Sequence, residues 1–181
     1  MSRIVGSARK IGQVTFHPTA SHVLAAASGD HVVKLWNLEN TDSPTISFKG
    51  HGDTIQGLAF NHTGTVLGTT CRDRKLRLFD SRTGGEPVRV TDGHSGIKGS
   101  RIVWIGEKDR IATTGFSKMS DRQLAVWETG SLKSVTSLNV DQSAGVVMPF
   151  WSDNGILFLG ESSLPVSKLP LLTFAHQAGK G

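Results

Sequence analysis

A ten-residue phrase that recurs along the chain constrains the fold more than any other feature. The stretch SGDHVVKLWN, residues 28–37, is followed 43 positions later by CRDRKLRLFD, residues 71–80. In each, an aspartate stands six places before a large aromatic that closes a run of alternating side chains: Asp30 and Trp36, then Asp73 and Phe79. A third copy, DRQLAVW, sets Asp121 six before Trp127. The intervals between these aromatics are 43 and 48, and the five extra residues fall in TTGFSKMSD, which predicts a longer tight turn ahead of Asp121. A second series runs in step with the first. IGQVTF, IQGLAF and SRIVW close on Phe16, Phe60 and Trp104 at intervals of 44, and AGVVMPF closes on Phe150, 46 further on. A period in the low forties with four short strand signals per copy is the signature of a β-propeller blade of the WD type.

Each copy divides into strands. First strands are GQVTF, IQGLAF and GSRIVW. Second strands are HVLAAAS, TVLGTTC and RIATTGF, set off by the polar breaks HPTAS, NHTG and GEKD. Third strands are HVVKLWNL, KLRLFD and RQLAVWE, and weaker fourth strands are TISF, PVRVT and SVTSL. The second strands are small on both faces (Ala25, Ala26 and Ala27; Gly68, Thr69 and Thr70; Ala112, Thr113 and Thr114), which suits sheets stacked face to face. A β-sandwich also strings short strands together, but not in blocks of four with aromatics at fixed intervals. The reading is all-β: a partial, unclosed propeller of about three and a half four-stranded blades. Residues 1–10 lead in, blades occupy 11–50, 51–93 and 94–140, a partial blade covers 141–159, and 160–181 form an irregular tail.

Composition excludes several classes. The chain has 37% hydrophobic and 19% charged residues with 21 glycines, as in a turn-rich globular protein. No apolar run reaches membrane-spanning length, and MSRIVGSARK lacks the apolar stretch of a secretory signal. Cys71 stands alone, which fits a reducing, cytoplasmic setting. The net charge of +5 suits an acidic partner. The densest basic cluster is Arg72, Arg74, Lys75 and Arg77, a possible partner surface. It lacks the interleaved aromatics of a single-strand binder, so nucleic acid is not the expected partner.

The repeated aspartate is expected to cap the turn between second and third strands. It would accept a hydrogen bond from a histidine in the preceding Gly-His loop, and that histidine would reach a hydroxyl bonded to the tryptophan indole. The loops Gly50–His51 and Gly93–His94 precede the second and third copies. The first copy has Ser28, Asp30 and Trp36, but Ala8 at the histidine position. In the second, His51 and Asp73 are present, with Cys71 in place of serine and Phe79 without a donor. His94, Asp121 and Trp127 are all in the third, its hydroxyl being unassigned.

Catalysis finds no constellation. His17, His22, His31 and His62 have no close second ligand at metal spacing, and His176 lies in the tail. There is no HExxH, paired-cysteine or P-loop motif, and GFSKM begins like a nucleophile elbow but closes on Met119. No catalytic residue, metal or cofactor is expected.

The stretches FHPTASHVLAAASGDHVVKLWNLE, GTTCRDRKLRLFDSRTGG and above all TTGFSKMSDRQLAVWE resemble the coronins, actin-associated WD-repeat proteins. The likeness runs from about Ile11 to Leu159, and SRIVW is reminiscent of the branch with two propellers in tandem. It implies a seven-bladed parent, of which this chain covers about the third to fifth blades and the start of the sixth. It further implies a non-enzymatic, cytoplasmic, cytoskeleton-associated scaffold that binds actin filaments or other proteins. The alternatives are a Golgi or endosomal trafficking scaffold of the tandem-propeller kind, or a truncated product without binding of its own. Much of a coronin's actin-contacting surface and its coiled coil fall outside the match, so no actin-contact residue is carried over. The family's GKGD-like turn resumes only after Gly160 to Gln177, a segment with the character of a retained intron or alternative exon. Unclosed terminal blades would expose apolar faces and invite self-association.

Overall fold

The computed structural model describes residues 9–161 and 171–173, and every regular element among them is a β-strand. The first sheet contains β1 (Ile11–Phe16), β2 (Val23–Ser28), β3 (Val33–Asn37) and β4 (Ile46–Phe48). The second contains β5 (Ile55–Phe60), β6 (Val66–Cys71), β7 (Lys75–Asp80) and β8 (Arg89–Asp92). The third contains β9 (Arg101–Trp104), β10 (Arg110–Phe116), β11 (Arg122–Glu128) and β12 (Ser134–Asp141). The fourth is three-stranded, with β13 (Val147–Trp151), β14 (Ile156–Glu161) and β15 (Leu171–Thr173). All four are antiparallel meanders in chain order, the arrangement expected of successive propeller blades.

The first strands β1, β5, β9 and β13 pack on one another in sequence and line the inner side of the array. Apolar cores fill the three spaces between sheets. Ala25, Ala27, Val33 and Leu35 meet Ile55, Leu67 and Phe79; Leu76 and Leu78 meet Ile102, Ile111 and Trp127; Leu124 and Val126 meet Val147, Leu157 and Leu159. A middle strand is covered on both sides, so it reads as a continuous apolar run rather than an alternation. The second and third sheets approach closely at Gly57. A Cβ on Gly57 would lie 2.5 Å from Thr70 Oγ1 and 3.0 Å from Ile102 Cγ2, so the bare backbone there lets Ile102 seat. Trp104 adds a bond across the same space, its indole N–H donating to the Ala59 carbonyl at 3.0 Å.

Three expectations are corrected. The third copy does not have a longer turn. Ser117 to Ser120 form a four-residue turn like those at Ser28 to His31 and Cys71 to Arg74, closed by Ser120 N–H to Ser117 O at 3.1 Å and with a positive φ at its fourth residue. Four of the extra residues lengthen the ladder instead, as the pairs Gly115–Gln123 and Phe116–Arg122. In the fourth copy the aromatic equivalent to Phe16, Phe60 and Trp104 is Trp151, not Phe150. Trp151 pairs with the buried Leu157 as Trp104 pairs with Ile111, while Phe150 points away and is 56% exposed. A one-residue slip in a strand reverses the face, and the periodic count alone could not see it. Finally, the segment expected to be irregular contributes β15, which pairs with β14 from Ile156–Thr173 to Phe158–Leu171. The rest of that segment lies outside the described residues.

Each end of the array shows exposed apolar side chains. Val14 and Phe16 are exposed on the outer face of the first sheet, and Met148 and Phe150 on that of the fourth. Among the described residues no helix is long and apolar enough to cross a membrane.

Candidate interaction surface and the networks beneath it

The third blade carries a complete hydrogen-bonded relay. Trp127 Nε1 donates to Thr113 Oγ1 at 2.7 Å, and that hydroxyl lies 2.9 Å from His94 Nε2. His94 Nδ1 lies 3.4 Å from the Gln123 side-chain oxygen. One set of donors satisfies the chain: indole to threonine, threonine to Nε2, and Nδ1–H to Gln123. Burial pulls the His94 pKa below its ordinary value, which keeps the ring neutral and able to accept. Asp121 is not in this relay. The two added ladder pairs carry it beyond the histidine, and it accepts instead from Ser117 Oγ at 2.8 Å and Gln142 Nε2 at 3.1 Å. Met119 takes the turn position that Asp30 and Asp73 hold in the other blades.

In the second blade His51 Nε2 lies 2.9 Å from Thr69 Oγ1, and the chain stops there because Phe79 has no donor. Its Nδ1 is buried without a partner among the described residues. Burial and then the Arg77 charge pull the His51 pKa down to about 4. Asp73 does not accept from His51. It is gripped by Arg77 through two bonds of 3.0 and 2.6 Å, and by the amides of Gly52 and Lys75 at 2.9 and 3.1 Å. Burial opposes ionisation of Asp73, but the Arg77 guanidinium and these amides outweigh it and hold the carboxyl well below the usual range. Cys71 is buried, its thiol donating to the Asp53 carbonyl at 3.1 Å, and burial pushes its pKa up to about 11.

The first blade has neither histidine nor hydroxyl, since Ala26 occupies the position of Thr69 and Thr113. Ser28 Oγ donates to Asp30, and Lys34 Nζ reaches Asp30 at 3.1 Å. Burial opposes the Asp30 charge, yet Ser28, Lys34 and the Val32 amide bring its pKa down to about 2. Lys34 and Arg77 are equivalent positions, each four after its aspartate. The third blade has Ala125 there, and its buried cation is Arg122. That guanidinium joins Asp141 in its own sheet and Glu161 Oε2 of the fourth at 2.8 Å, fastening the two sheets together.

The basic cluster expected as one patch is divided. Arg77 is 6% exposed and spent on Asp73, which removes it from any partner surface. Lys75 pairs with Asp92 at 2.6 Å. Arg72 and Arg74 remain outward on the turn from β6 to β7, where Arg74 has a φ of 66°. Beside this turn a polar cleft of about 330 Å³ is lined by Asp73, Arg74, Lys75, Asp92, Gly93, His94 and Ser95.

The ionisable groups offer no catalytic arrangement among the described residues. No three of His, Cys, Asp and Glu come together as metal ligands. Ser117 sits in a hairpin turn with its hydroxyl on Asp121, not at a strand-to-helix elbow. His17 closes a contact between the first two blades, with Nε2 3.1 Å from the Gly64 carbonyl. Thr69, Thr113 and Gln123 are network members that the spacing of aspartate and aromatic does not single out, although the doubled threonine recurs in TTC and TTG.

A family model described as "WD domain, G-beta repeat" matches residues 2–37 and 42–80. These copies are the two whose turns retain the capping aspartate. The chain is 44% identical over 162 residues to a coronin-like protein of Saccharomyces cerevisiae, covering 86% of this chain and 24% of that protein. It is 45% identical over 155 residues to a coronin-like protein of Schizosaccharomyces pombe, covering 84% and 25%. The crystal structure of the WD40 domain of Toxoplasma gondii coronin superposes with a TM-score of 0.81 at 26% identity, over 87% of this chain and 41% of that one. The chain therefore spans about a quarter of the length of these curated relatives.

Proposed function

Since the chain belongs to the coronin family of WD-repeat proteins, we propose that it supplies part of a non-catalytic interaction scaffold whose protein partners include actin filaments. The observation that carries this reading is the separation of roles among its charged groups. Asp30, Asp73, Arg77 and Arg122 are tied into locks within and between blades, whereas Arg72 and Arg74 are displayed on a turn beside an open cleft. Groups locked in this way hold the sheets in register, and a displayed cationic rim steers association with an acidic protein surface. The setting is cytoplasmic and cytoskeletal. Cosedimentation with actin filaments tests the proposal, using this chain, a longer chain carrying the remaining blades, and Arg72→Glu/Arg74→Glu in both. Pelleting of the longer chain that falls in the double variant is expected. A longer chain that stays in the supernatant at low salt overturns the assignment of actin.

A further inference from the structure

The lengthened hairpin of the third blade does more than displace Asp121. It places Met119 at its tip, 84% exposed, where the other blades hold an aspartate turned back onto the sheet. Three segments meet at this end of the second and third blades. Gly93 N–H donates to the Arg74 carbonyl at 2.7 Å, so the loop after β8 lies against the basic turn. Gly96 N–H donates to the Phe116 carbonyl at 2.7 Å, so the same loop lies against the hairpin. Ile97, next in that loop, is 61% exposed, and Lys98 Nζ lies 5.0 Å from the Phe116 ring centroid. The basic turn, the loop and the hairpin so joined carry two exposed apolar side chains, Ile97 and Met119, and four exposed cations, Arg72, Arg74, Lys98 and Lys118. None of these cations makes a salt bridge among the described residues, although Asp53 feels the Arg72 charge and Asp92 that of Arg74.

We infer that this rim is a docking surface for a protein segment in which an apolar side chain is flanked by carboxylates. The inference rests on the scaffold reading above and names the chemistry of its partner. Carboxylates would meet the four cations while the apolar side chain covers Met119 and Ile97. Exposed methionine and arginine are favoured at such contacts, because a flexible thioether adapts to its partner and a guanidinium grips a carboxylate through two bonds. A purely electrostatic rim would have no use for Met119 at the tip, and a purely apolar one would not ring it with charge.

The test uses the whole chain and a labelled peptide with leucines set between glutamates, followed by fluorescence anisotropy. The expected result is saturable binding that weakens about tenfold or more with Met119→Asp and, separately, with Arg74→Glu. Lys133→Glu, at the far end of the third blade, should leave binding unchanged. Replacing the peptide's leucines by serine or its glutamates by glutamine should each abolish it. Equal binding of the serine peptide, or indifference to Met119→Asp, overturns the inference in favour of plain charge attraction, and absence of binding overturns it outright. Both substitutions lie on exposed turn residues, so neither outcome is open to a folding explanation. The same variants in filament cosedimentation keep the two proposals apart. Pelleting without peptide binding sinks only the docking rim, and peptide binding without pelleting of the longer chain sinks only the assignment of actin.

Discussion

Thr113 Oγ1 accepts the indole N–H of Trp127 at 2.7 Å across the hairpin of β10 and β11. The two residues are diagonal neighbours on one face of the ladder, since Thr113 pairs with Ala125 and Trp127 with Ile111. The same hydroxyl faces His94, so a single oxygen satisfies two buried groups from separate parts of the blade.

Replacing it should therefore cost more than one hydrogen bond. Thr113→Val keeps the shape and strands both the indole and the histidine, a loss of about 3 kcal/mol that lowers the melting temperature by roughly 5–12 °C. Thr113→Ser should recover most of this. Thr69→Val is the matched control, because Thr69 serves His51 alone and Phe79 asks nothing of it. Its shift in a thermal melt should be less than half as large, and equal shifts would refute the relay.

The salt bridge of the second blade gives a second contrast. Arg77 and Arg72 are close in sequence and opposite in environment. Arg77→Ala leaves Asp73 half-buried with its guanidinium partner gone, and should cost about 1–3 kcal/mol in denaturant unfolding. Arg72→Ala should fall within about 0.5 kcal/mol of the parent, as surface changes do. If Arg72→Ala destabilised the chain as much as Arg77→Ala, the division between lock and rim would be wrong.

These contrasts show where the sequence was legible. The period and the strand blocks followed from spacing, because every blade must repeat one geometry to stack on the next. The aspartate's partner did not. Spacing from Asp to aromatic is the same in all three copies, yet two added ladder pairs move Asp121 away from His94 while leaving that spacing intact. Arg77 read as surface charge because a strand sandwiched between sheets shows no alternation, so nothing in KLRLFD says which way residue 77 points. Phe150 and Trp151 are adjacent aromatics, and only the pairing with Leu157 decides between them.

A third prediction concerns the packing of sheets. Gly57 and Gly12 are both first-strand glycines, but their surroundings differ. A methyl at Gly57 would collide with Thr70 Oγ1 and Ile102 Cγ2, whereas at Gly12 the nearest atom is the Ala27 carbonyl oxygen at 4.0 Å. Gly57→Ala should destabilise by about 1–3 kcal/mol through overpacking. Gly12→Ala should be neutral or slightly stabilising, since it only restricts the unfolded chain. Urea midpoints for the pair provide the check, and an innocuous Gly57→Ala would mean the second and third sheets sit further apart than described.

Acid should act first through the histidines. His51 titrates near an ordinary 6.5 when unfolded and at about 4 in the fold, where burial and then the Arg77 charge oppose its protonation. His94 is displaced in the same direction by burial. A histidine lowered in this way binds its proton more readily in the unfolded chain, so its stabilisation is intact above about pH 7 and is lost as pH falls from 6.5 towards 4. Asp30 and Asp73 are also lowered, but their contribution holds above the ordinary carboxylate value of 3.8 and fades only below it. Between pH 7 and 5 the histidines thus act nearly alone. His51 should account for about 2 kcal/mol of lost stability over that interval. Melting curves at the two pH values should show a fall for the parent and a shallower one for His51→Gln, whose remaining slope belongs to His94. A parent whose melting temperature held steady or rose on acidification would place both rings in water, contrary to the blade networks described.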